Sequence, residues 1–337
     1  MNEMMRREIE TQANLLPKLQ PTLAELADTL PRMAGRIYAG GCGDSAFAPQ
    51  ALQDVFRSLG VEIISKTSME LSSYTRFQPS DTVLLSSISG GTKRTVEAAN
   101  AARERGADVV AITCNGESAL AQAATSTLEM PFKPLSRKTP HTLDYAVTLL
   151  ATAEIARSHG GFEASTLASA LSDLDKVLAA AEERANQIAE DHSPEGKVIF
   201  LGSDCDLGTA NYAAAKLHEA GGLTSFAAET ENFVHGMNFM LEPQDMLAIL
   251  ASTEAGIRRG QTVADAFSPL CATHILENEK SIPKPANALS LLLGTTFTVQ
   301  FLCLKIADKM GLHLEEPRAG RPRGSQHAAA QSAAMGF

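Results

Sequence analysis

The sequence contains an internal repeat with an offset of 161 residues, far longer than the period of a solenoid protein. Residues 36–45 and 197–206 each form an apolar run that ends in a turn of small and acidic residues. Each copy continues with a stretch of helical character, at 46–59 and 207–220, which ends close to a glycine as helices often do. The repeat therefore predicts two similar halves, each beginning with a strand, a tight turn and a helix.

Short apolar segments alternate with helical segments through both halves. The remaining predicted strands are 61–64, 82–86, 108–113, 128–132, 224–227, 246–251 and 271–276. Helices are predicted at 92–105 and 256–267, and a long helical stretch at 142–159 and 164–190 joins the two halves. Alternation of this kind favours parallel strands joined by right-handed crossovers, so we expect an α/β fold.

The composition argues against several classes of protein. The formal net charge is −10, there is no Trp, and aromatic residues are 5%, so we expect neither a nucleic-acid partner nor a membrane partner. The five cysteines lie far apart and form no CxxC pair, as expected for reduced thiols in a cytoplasmic protein. The N-terminus shows no apolar signal segment. Residues 289–304 are the most apolar stretch, but polar residues interrupt it, which predicts a buried helix.

One candidate binding site is the loop at 86–92, which reads SSISGGT between an apolar strand and a helix. Ligands of parallel sheets bind at the carboxyl ends of the strands. The hydroxyl groups of Ser87, Ser89 and Thr92, with the N–H groups of the loop and of the helix N-terminus, are suited to a phosphate. The same residues also suit an ordinary helix N-cap, and the loop is neither a P-loop nor a GxGxxG loop.

Two further segments carry polar groups at predicted strand ends. The turn at 41–45 reads GCGDS; it could place hydroxyl and backbone donors beside a sugar, although a tight strand-to-helix turn is the simpler explanation. Glu219 lies near the end of a predicted helix and His235 follows the next strand, so a carboxylate and an imidazole could transfer protons on one ligand. A solvated glutamate and a turn histidine are the simpler explanation there, and a metal site that includes His218 has no dedicated motif.

Together these segments resemble the sugar isomerase (SIS) family, in particular the isomerase half of glucosamine-6-phosphate synthase and its stand-alone relatives. The similarity covers nearly the whole chain and rests on motifs that occur in the family's order. They are MRREIETQ at 5–12, GCGDS at 41–45, SISGGT at 87–92, KLHE at 216–219, VHG at 234–236, VQFL at 299–302 and EPR at 316–318. The separation of 16 residues between Glu219 and His235 also matches the family pattern.

The resemblance implies an α/β fold of two SIS subdomains related by a pseudo-two-fold axis. Each subdomain is expected to be a parallel sheet between two layers of helices. We expect the subdomains at 36–190 and 191–314, after a helical segment at 1–35. A tail at 315–337 is expected to lie near the active site. The resemblance implies no cofactor and no metal ion.

The resemblance also implies roles for residues at matching positions. The phosphate of a hexose or hexosamine 6-phosphate is expected at Ser87, Ser89 and Thr92. The sugar is expected at Gly43, Asp44, Ser45 and Ser136. Glu219 is expected to move a proton between C1 and C2, with Lys216 beside it to tune its charge. His235 is expected to act in ring opening at the site of the partner subunit in a homodimer.

The sequence departs from the family pattern at several positions. The C-terminal lysine of the family falls at Pro322, with Arg321 as its neighbour. Asp44 replaces a threonine and Ile88 a glutamine in the two ligand loops. The segment at 136–139, SRKT, is only loosely similar to the STK segment of the family. These changes bear on any step that needs a C-terminal amine and on the choice of sugar.

The sequence therefore predicts a cytoplasmic phosphosugar isomerase or aminosugar-phosphate deaminase. A deglycase of phosphorylated sugar–amine adducts is one alternative, and a phosphosugar sensor without catalysis is another. A reaction that draws ammonia from glutamine is not expected, because the chain starts Met1-Asn2 without the N-terminal cysteine that a glutaminase domain requires. The expected ligand is a small phosphosugar.

Overall fold

Each half of the chain forms a parallel sheet. The computed structural model describes residues 2–277, 283–318 and 322–335. The elements of the first half are α1 (Glu3–Asp28), β1 (Ile37–Gly41), α2 (Asp44–Ala51), α3 (Gln53–Ser58), β2 (Ile64–Thr67), α4 (Ser68–Ser73), β3 (Thr82–Ser86), α5 (Lys93–Glu104), β4 (Asp108–Thr113), α6 (Ala119–Ala123) and β5 (Ser126–Glu129). Two long helices, α7 (Leu143–Gly160) and α8 (Leu174–Glu190), lead to the second half.

The second half repeats this order of elements. They are β6 (Val198–Gly202), α9 (Cys205–Glu219), β7 (Ser225–Glu229), α10 (Thr230–Val234), β8 (Met246–Leu250), α11 (Glu254–Phe267), β9 (Ala272–Leu276), α12 (Ala286–Lys309) and α13 (Gly324–Met335). The strand orders are β2-β1-β3-β4-β5 and β7-β6-β8-β9, and every described pair is parallel. The predicted α/β fold with two similar parallel sheets is confirmed.

Each sheet contains an equivalent ion pair at the N-terminal ends of its strands. The carboxylate of Asp81, just before β3, pairs with Arg36, just before β1, at 2.7 Å. At the matching position Asp245, just before β8, pairs with Lys197, just before β6, also at 2.7 Å. In each case the carboxylate also accepts a hydrogen bond from the backbone N–H of its basic partner. Each ion pair therefore joins two neighbouring strands of its sheet, β1 with β3 and β6 with β8.

The most apolar helix lies in the core. Of the described residues, α12 is the helix long and apolar enough to cross a membrane, and 89% of its most apolar window is buried inside the protein. It packs against α8 and α9, so it lies between the long connecting helix and the second half. The prediction of a buried helix at 289–304 is confirmed.

Three sequence expectations differ from the structure in position. β2 starts at Ile64 instead of 61. Val61 is buried in the core before the strand begins, and β2 itself is a half-exposed edge strand. β5 ends at Glu129, two residues before Pro131. The stretch 164–190 is not one helix: two 3₁₀ turns precede α8, and Asp173 between them and the helix has φ of +57°.

Candidate active site

Two helices from different halves cross closely and form the base of the site. Gly208 of α9 packs directly on α2, where a Cβ atom would come within 2.2 Å of the backbone nitrogen of Ala51. Next to this crossing the side chain of Asn211 donates to that of Gln50 at 3.0 Å. These two residues occupy equivalent places in the repeat, so the pseudo-two-fold axis passes between α2 and α9. The helices run in opposite directions, which brings the end of α9 to the start of α2.

Lys216 joins two carboxylates at this place. Its Nζ donates to Oδ2 of Asp44 at 2.7 Å and to Oε2 of Glu219 at 2.6 Å. The lysine is fully buried, whereas the side chains of Asp44 and Glu219 are 18% and 43% exposed. Oε1 of Glu219 makes no hydrogen bond with a described residue. We call Lys216, Asp44 and Glu219 the charged cluster; it presents one free carboxylate oxygen to solvent.

Burial and the neighbouring charges of this cluster shift the pKa values of Lys216 and Asp44. Burial alone lowers the pKa of Lys216, but attraction by Asp44 and Glu219 outweighs it, and the pKa is raised. The lysine is therefore a permanent cation at neutral pH. Burial raises the pKa of Asp44; attraction by Lys216 opposes this and repulsion by Glu219 adds to it. With both acids ionised, the cluster carries one more negative than positive charge.

A polar network behind the cluster holds Lys216 in place. The ring of Tyr212 lies 5.1 Å from Nζ of Lys216 and stacks on Tyr145 at 3.8 Å. The side-chain amide of Gln300 donates to the Tyr212 hydroxyl at 3.1 Å, and Gln12 donates to Gln300 at 2.7 Å. Three of the family-like motifs, at 5–12, 216–219 and 299–302, thus meet at one point.

The segment that contains Ser136 is bound to the first helix. Glu8 is buried, and its carboxylate accepts hydrogen bonds from the backbone N–H of Ser136 and from the hydroxyls of Thr139 and Thr142. Burial raises the pKa of Glu8, against the effect of these hydrogen bonds. The Ser136 hydroxyl accepts from the backbone N–H of Lys138. Glu8 therefore positions the loop from Ser136 to Thr142, a role that sequence reasoning missed.

The serine-rich loop follows β3, next to the turn that follows β1. Ser87 is buried and its hydroxyl lies 3.0 Å from that of Thr92, the N-cap residue of α5, whose side chain makes no capping hydrogen bond. Ser89 is exposed, and its hydroxyl accepts from the N–H of Gly91 at 3.2 Å. The first turn of α5 contains no acidic residue. The loop thus offers hydroxyls and a helix N-terminus free of acidic side chains, a setting that suits an anion.

The serine-rich loop and the charged cluster are neighbours. The hydroxyl of Ser86, the last residue of β3, donates to the backbone oxygen of Ser45 at 3.3 Å. Ser45 follows Asp44 in the first turn of α2, and Gly43 is the N-cap of that helix with φ of 55°. The structure therefore brings together the predicted phosphate residues, the predicted sugar residues Gly43, Asp44 and Ser45, and the cluster of Lys216 and Glu219, while Ser136 is bound to Glu8.

His235 is not part of this group within one chain. It is exposed, and its side chain makes no hydrogen bond or ion pair with a described residue. The residues after it form a short 3₁₀ turn that exposes 90% of Phe239 and 41% of Met237. The predicted role of His235 at a partner's site stays a prediction.

A histidine that the sequence analysis did not select does lie at the site. His141 ends the loop that Glu8 holds, and its Nδ1 lies 2.9 Å from Oδ2 of Asp144. The backbone oxygen of His141 accepts a hydrogen bond from the hydroxyl of Tyr212 at 2.9 Å. Nothing in the local sequence distinguishes this histidine, because its neighbours in space belong to α2 and α9.

A metal site, His218 and the C-terminal tail were also considered from the sequence. In the described part of the chain, no group of three or more His, Cys, Asp or Glu residues could hold a metal ion. The Nε2 atom of His218 bonds to the backbone oxygen of Ser225, which gives it a structural role. Arg321 lies outside the described residues, while α13, in the described part of the tail, contains no buried residue.

Comparisons with known proteins agree with this architecture. Residues 32–155 match the SIS domain. Over 227 residues, 63% of this chain and 67% of the relative, the sequence is 26% identical to fructosamine deglycase FrlB of Bacillus subtilis (strain 168). The structure is similar to that of glucosamine-6-phosphate deaminase from Thermotoga maritima. The match covers 93% of this chain and 97% of the deaminase chain, with a TM-score of 0.77 and 17% sequence identity.

The similarity in structure extends over both sheets. The C-terminal domain of glucosamine-fructose-6-phosphate aminotransferase from Francisella tularensis covers 94% of this chain and 99% of its own, with a TM-score of 0.74 and 15% identity. Sequence identities this low show a common fold, and the family match places the domain in the first half. Residues 32–155 of the chain therefore match an SIS domain, and the chain shares the two-sheet fold of these solved structures.

Proposed function

We propose that the protein is a phosphosugar-converting enzyme that moves a proton between C1 and C2 of a hexose or hexosamine 6-phosphate. The reaction is an aldose–ketose isomerisation or the deamination of an aminosugar phosphate. The observation that carries the proposal is the charged cluster beside the serine-rich loop: a free carboxylate oxygen of Glu219 lies close to a place suited to a phosphate.

The geometry supports a simple division of roles. Ser87, Ser89 and Thr92 would bind the phosphate together with the N-terminus of α5. The sugar would extend from there towards Asp44 and Glu219. Lys216 occupies one oxygen of Glu219, so the other oxygen is the one that accepts the proton from carbon and returns it to the neighbouring carbon. The intermediate is an enediol or, for an amino sugar, an enolamine.

Replacing Glu219 with glutamine tests the proposal. We expect the turnover of Glu219→Gln to fall by about 10²–10⁴-fold, the usual contribution of a general base, while the affinity for the sugar phosphate stays within about threefold. Turnover is measured as interconversion of hexose 6-phosphates and as ammonia release from hexosamine 6-phosphates. Binding is measured by calorimetry on the same compounds.

The matched control is Glu183→Gln. Glu183 is an exposed glutamate on α8, where it accepts a hydrogen bond from Gln187, and this change should leave turnover as in the unaltered protein. If Glu219→Gln retains full turnover on the substrate that the unaltered protein converts, the assignment of Glu219 is wrong. Binding of these compounds without any turnover in the unaltered protein would favour a sensor.

A second candidate is the deglycation of a phosphorylated sugar–amine adduct. Two observations favour it: the 26% identity to a fructosamine deglycase and the extra carboxylate of Asp44, where the family pattern has threonine. Oδ1 of Asp44 is buried and accepts no hydrogen bond from a described group, so it could accept one from a substrate ammonium. Release of a free amino acid from a 6-phosphofructosamine, without interconversion of simple hexose phosphates, would select this reaction.

The proposal includes the setting of the enzyme. Its five cysteines are free thiols, which suits the reducing cytoplasm. The enzyme would act as a homodimer, because the exposed His235 has no described contact with the cluster in its own chain. A partner subunit would supply this imidazole to the site.

A further inference from the structure

His141 and Asp144 form a dyad at the rim of the site. Asp144 lies in the first turn of α7 and its side chain is only 3% exposed, whereas that of His141 is 43% exposed. Because an ionised carboxylate can only accept, Nδ1 of His141 donates to Oδ2 of Asp144 at 2.9 Å. This leaves Nε2 of the exposed imidazole without a described partner. A buried carboxylate that orients a half-exposed imidazole is the arrangement found where histidine transfers protons.

Three contacts place this dyad beside the charged cluster. The hydroxyl of Tyr212 holds the backbone oxygen of His141 at 2.9 Å. Tyr212 lies one turn before Lys216 on α9, with its ring 5.1 Å from the Lys216 ammonium. Gln300 donates both to the Tyr212 hydroxyl and to the backbone oxygen of Thr142, the residue after His141. The loop and α9 are therefore tied together at the residue that carries the imidazole.

We propose that His141, oriented by Asp144, is a second proton-transfer residue of this site and acts on the substrate's oxygen atoms while Glu219 acts on its carbon atoms. The inference rests on the proposed function and extends it. It assigns to this chain's own histidine a step that differs from the ring opening expected of His235.

The step conserves protons. Glu219 takes the proton from C2 as the Nε2 proton of the His141 imidazolium passes to the carbonyl oxygen on C1, which gives an enediol. The hydroxyl on C2 then returns its proton to Nε2 as Glu219 delivers its proton to C1. Both residues end in their starting protonation states, and the carbonyl has moved from C1 to C2. No oxidant, reductant or cofactor is consumed.

The electrostatic surroundings support an imidazolium at neutral pH. The hydrogen bond to Asp144 raises the pKa of His141; burial opposes it, the charge of Asp144 adds to it, Lys216 of α9 opposes it and Asp44 of α2 adds to it. The net effect is a raised pKa, so more of the acid form is present at pH 7 than for a free histidine. The imidazolium is the form that donates a proton to the substrate oxygen, and it is lost as pH rises through this pKa.

The experiment compares His141→Gln, Asp144→Asn and a control, His313→Gln, in the full-length protein. His313 is exposed and its side chain makes no hydrogen bond with a described residue. We expect His141→Gln to lower kcat by about 10²-fold or more, with KM changed by less than about threefold. The control should keep both parameters.

Asp144 is a positioning residue, so its test is the pH profile. In Asp144→Asn the alkaline limb of kcat should move to lower pH, because the neutral amide no longer stabilises the imidazolium. The ring signals of His141, assigned by their loss in His141→Gln, should titrate above pH 6.5 in the unaltered protein and at lower pH in Asp144→Asn. This NMR readout does not depend on turnover.

The outcomes separate this inference from the proposed function. If Glu219→Gln abolishes turnover while His141→Gln keeps kcat within twofold, the role of His141 is wrong and that of Glu219 stands. A His141 titration at or below pH 6.5 that Asp144→Asn leaves in place would also overturn the dyad. If the protein converts no sugar phosphate at all, the proposed function fails instead.

Discussion

The pair of Lys216 and Asp44 has no charged counterpart at the equivalent positions across the pseudo-two-fold axis. Lys216 pairs with Asp44, and the repeat offset of 161 residues places Val55 and Cys205 at the equivalent positions. Val55 and Cys205 line a small enclosed cavity, and burial raises the pKa of Cys205 to about 12, so its thiol stays neutral. An apolar pair cannot hold a carboxylate for proton transfer.

Glycine at position 90 shapes the serine-rich loop. Gly90 has φ of +64°, and a Cβ atom there would lie 2.0 Å from Oγ of Ser118 and 2.9 Å from Oγ1 of Thr113. Gly91 has an ordinary φ, and its nearest neighbour would be Oγ of Ser89 at 3.7 Å. The two adjacent glycines therefore differ in what they tolerate.

Gly90→Ala should destabilise the protein by about 1–2 kcal/mol or more, because an L-residue is strained at this φ and the methyl group displaces Ser118. The displaced loop should also bind a hexose 6-phosphate on the order of tenfold more weakly. Urea unfolding and calorimetric binding measure the two effects. Gly91→Ala is the matched control and should change neither; equal effects of the two changes would contradict this account of the loop.

The loops between strands and helices distinguish the two halves at the scale of elements. Six residues separate β3 from α5, whereas three separate β8 from α11. The shorter loop is occupied by the protein itself: Asp206 accepts from the N–H of Ser252, Thr253 caps α11, and Glu254 lies in its first turn. A negative side chain at a helix N-terminus takes the place that an anion would need, so we expect no phosphate to bind at this loop.

The ion pairs at the other end of the sheets predict a shared dependence on acid. Burial alone raises the pKa of Asp81 and of Asp245, but hydrogen bonds from Arg36 and from Lys197 outweigh it, and both pKa values are lowered. A lowered pKa in the folded state stabilises the fold above the unfolded pKa of about 3.9, and this stability is lost as pH falls through the folded pKa.

Asp81→Asn and Asp245→Asn should each lower the free energy of unfolding by about 2 kcal/mol at pH 7, since each removes charge-assisted hydrogen bonds from a buried carboxylate. The loss should shrink as pH falls below about 4 towards the lowered pKa of the folded carboxylate, where the unaltered group becomes protonated. Denaturant unfolding from pH 3 to pH 7 measures this. Asp108→Asn, at the exposed start of β4, is the control; a loss that is the same at pH 3 and pH 7 would refute the charge-based explanation.

At the scale of the whole molecule, the site lies between the halves and one of its predicted residues lies apart. α2 and α9 come from different halves, and the cluster forms only where they cross. His235 is exposed beside Phe239, which is 90% exposed. An exposed aromatic next to a predicted functional residue is typical of a surface that meets a partner, in line with the homodimer that we propose.

Mixing two inactive variants tests this arrangement. If His235 acts at the partner's site, a dimer of one Glu219→Gln subunit and one His235→Gln subunit has one intact site. Subunit exchange at equal amounts should then restore about a quarter of the unaltered turnover. Turnover is followed after mixing and compared with each variant alone. No recovery, in samples shown by mass spectrometry to contain mixed dimers, would place His235 at the site of its own chain.

The strand and helix order could be read from the sequence, because apolar periodicity is a local property. The repeat also located the two strand-end turns. At β2 and β5 the predicted segments overlap the strands only in part, at Ile64 and at Leu128 and Glu129. The prediction of Ser87 and Thr92 as neighbours follows from one loop, and the structure places their hydroxyls 3.0 Å apart.

The roles of Glu8 and His141 and the pairing of Lys216 with Asp44, which the sequence analysis missed, depend on contacts between distant segments. Glu8 reaches the loop of Ser136 across 128 residues, and Lys216 reaches Asp44 across 172. Their side chains meet only because α1 packs on α7 and α9 crosses α2 at Gly208. His141 has no motif around it, so its place could not be predicted.

The sequence by itself determined two parallel sheets, their order along the chain and the loops at their carboxyl ends, because each of these follows from residues close together in the chain. The tertiary structure decided which loops form a site. The rotation and crossing of helices set whether Lys216 faces two carboxylates and whether His141 lies beside them. Those depend on packing between the halves, which local patterns do not contain.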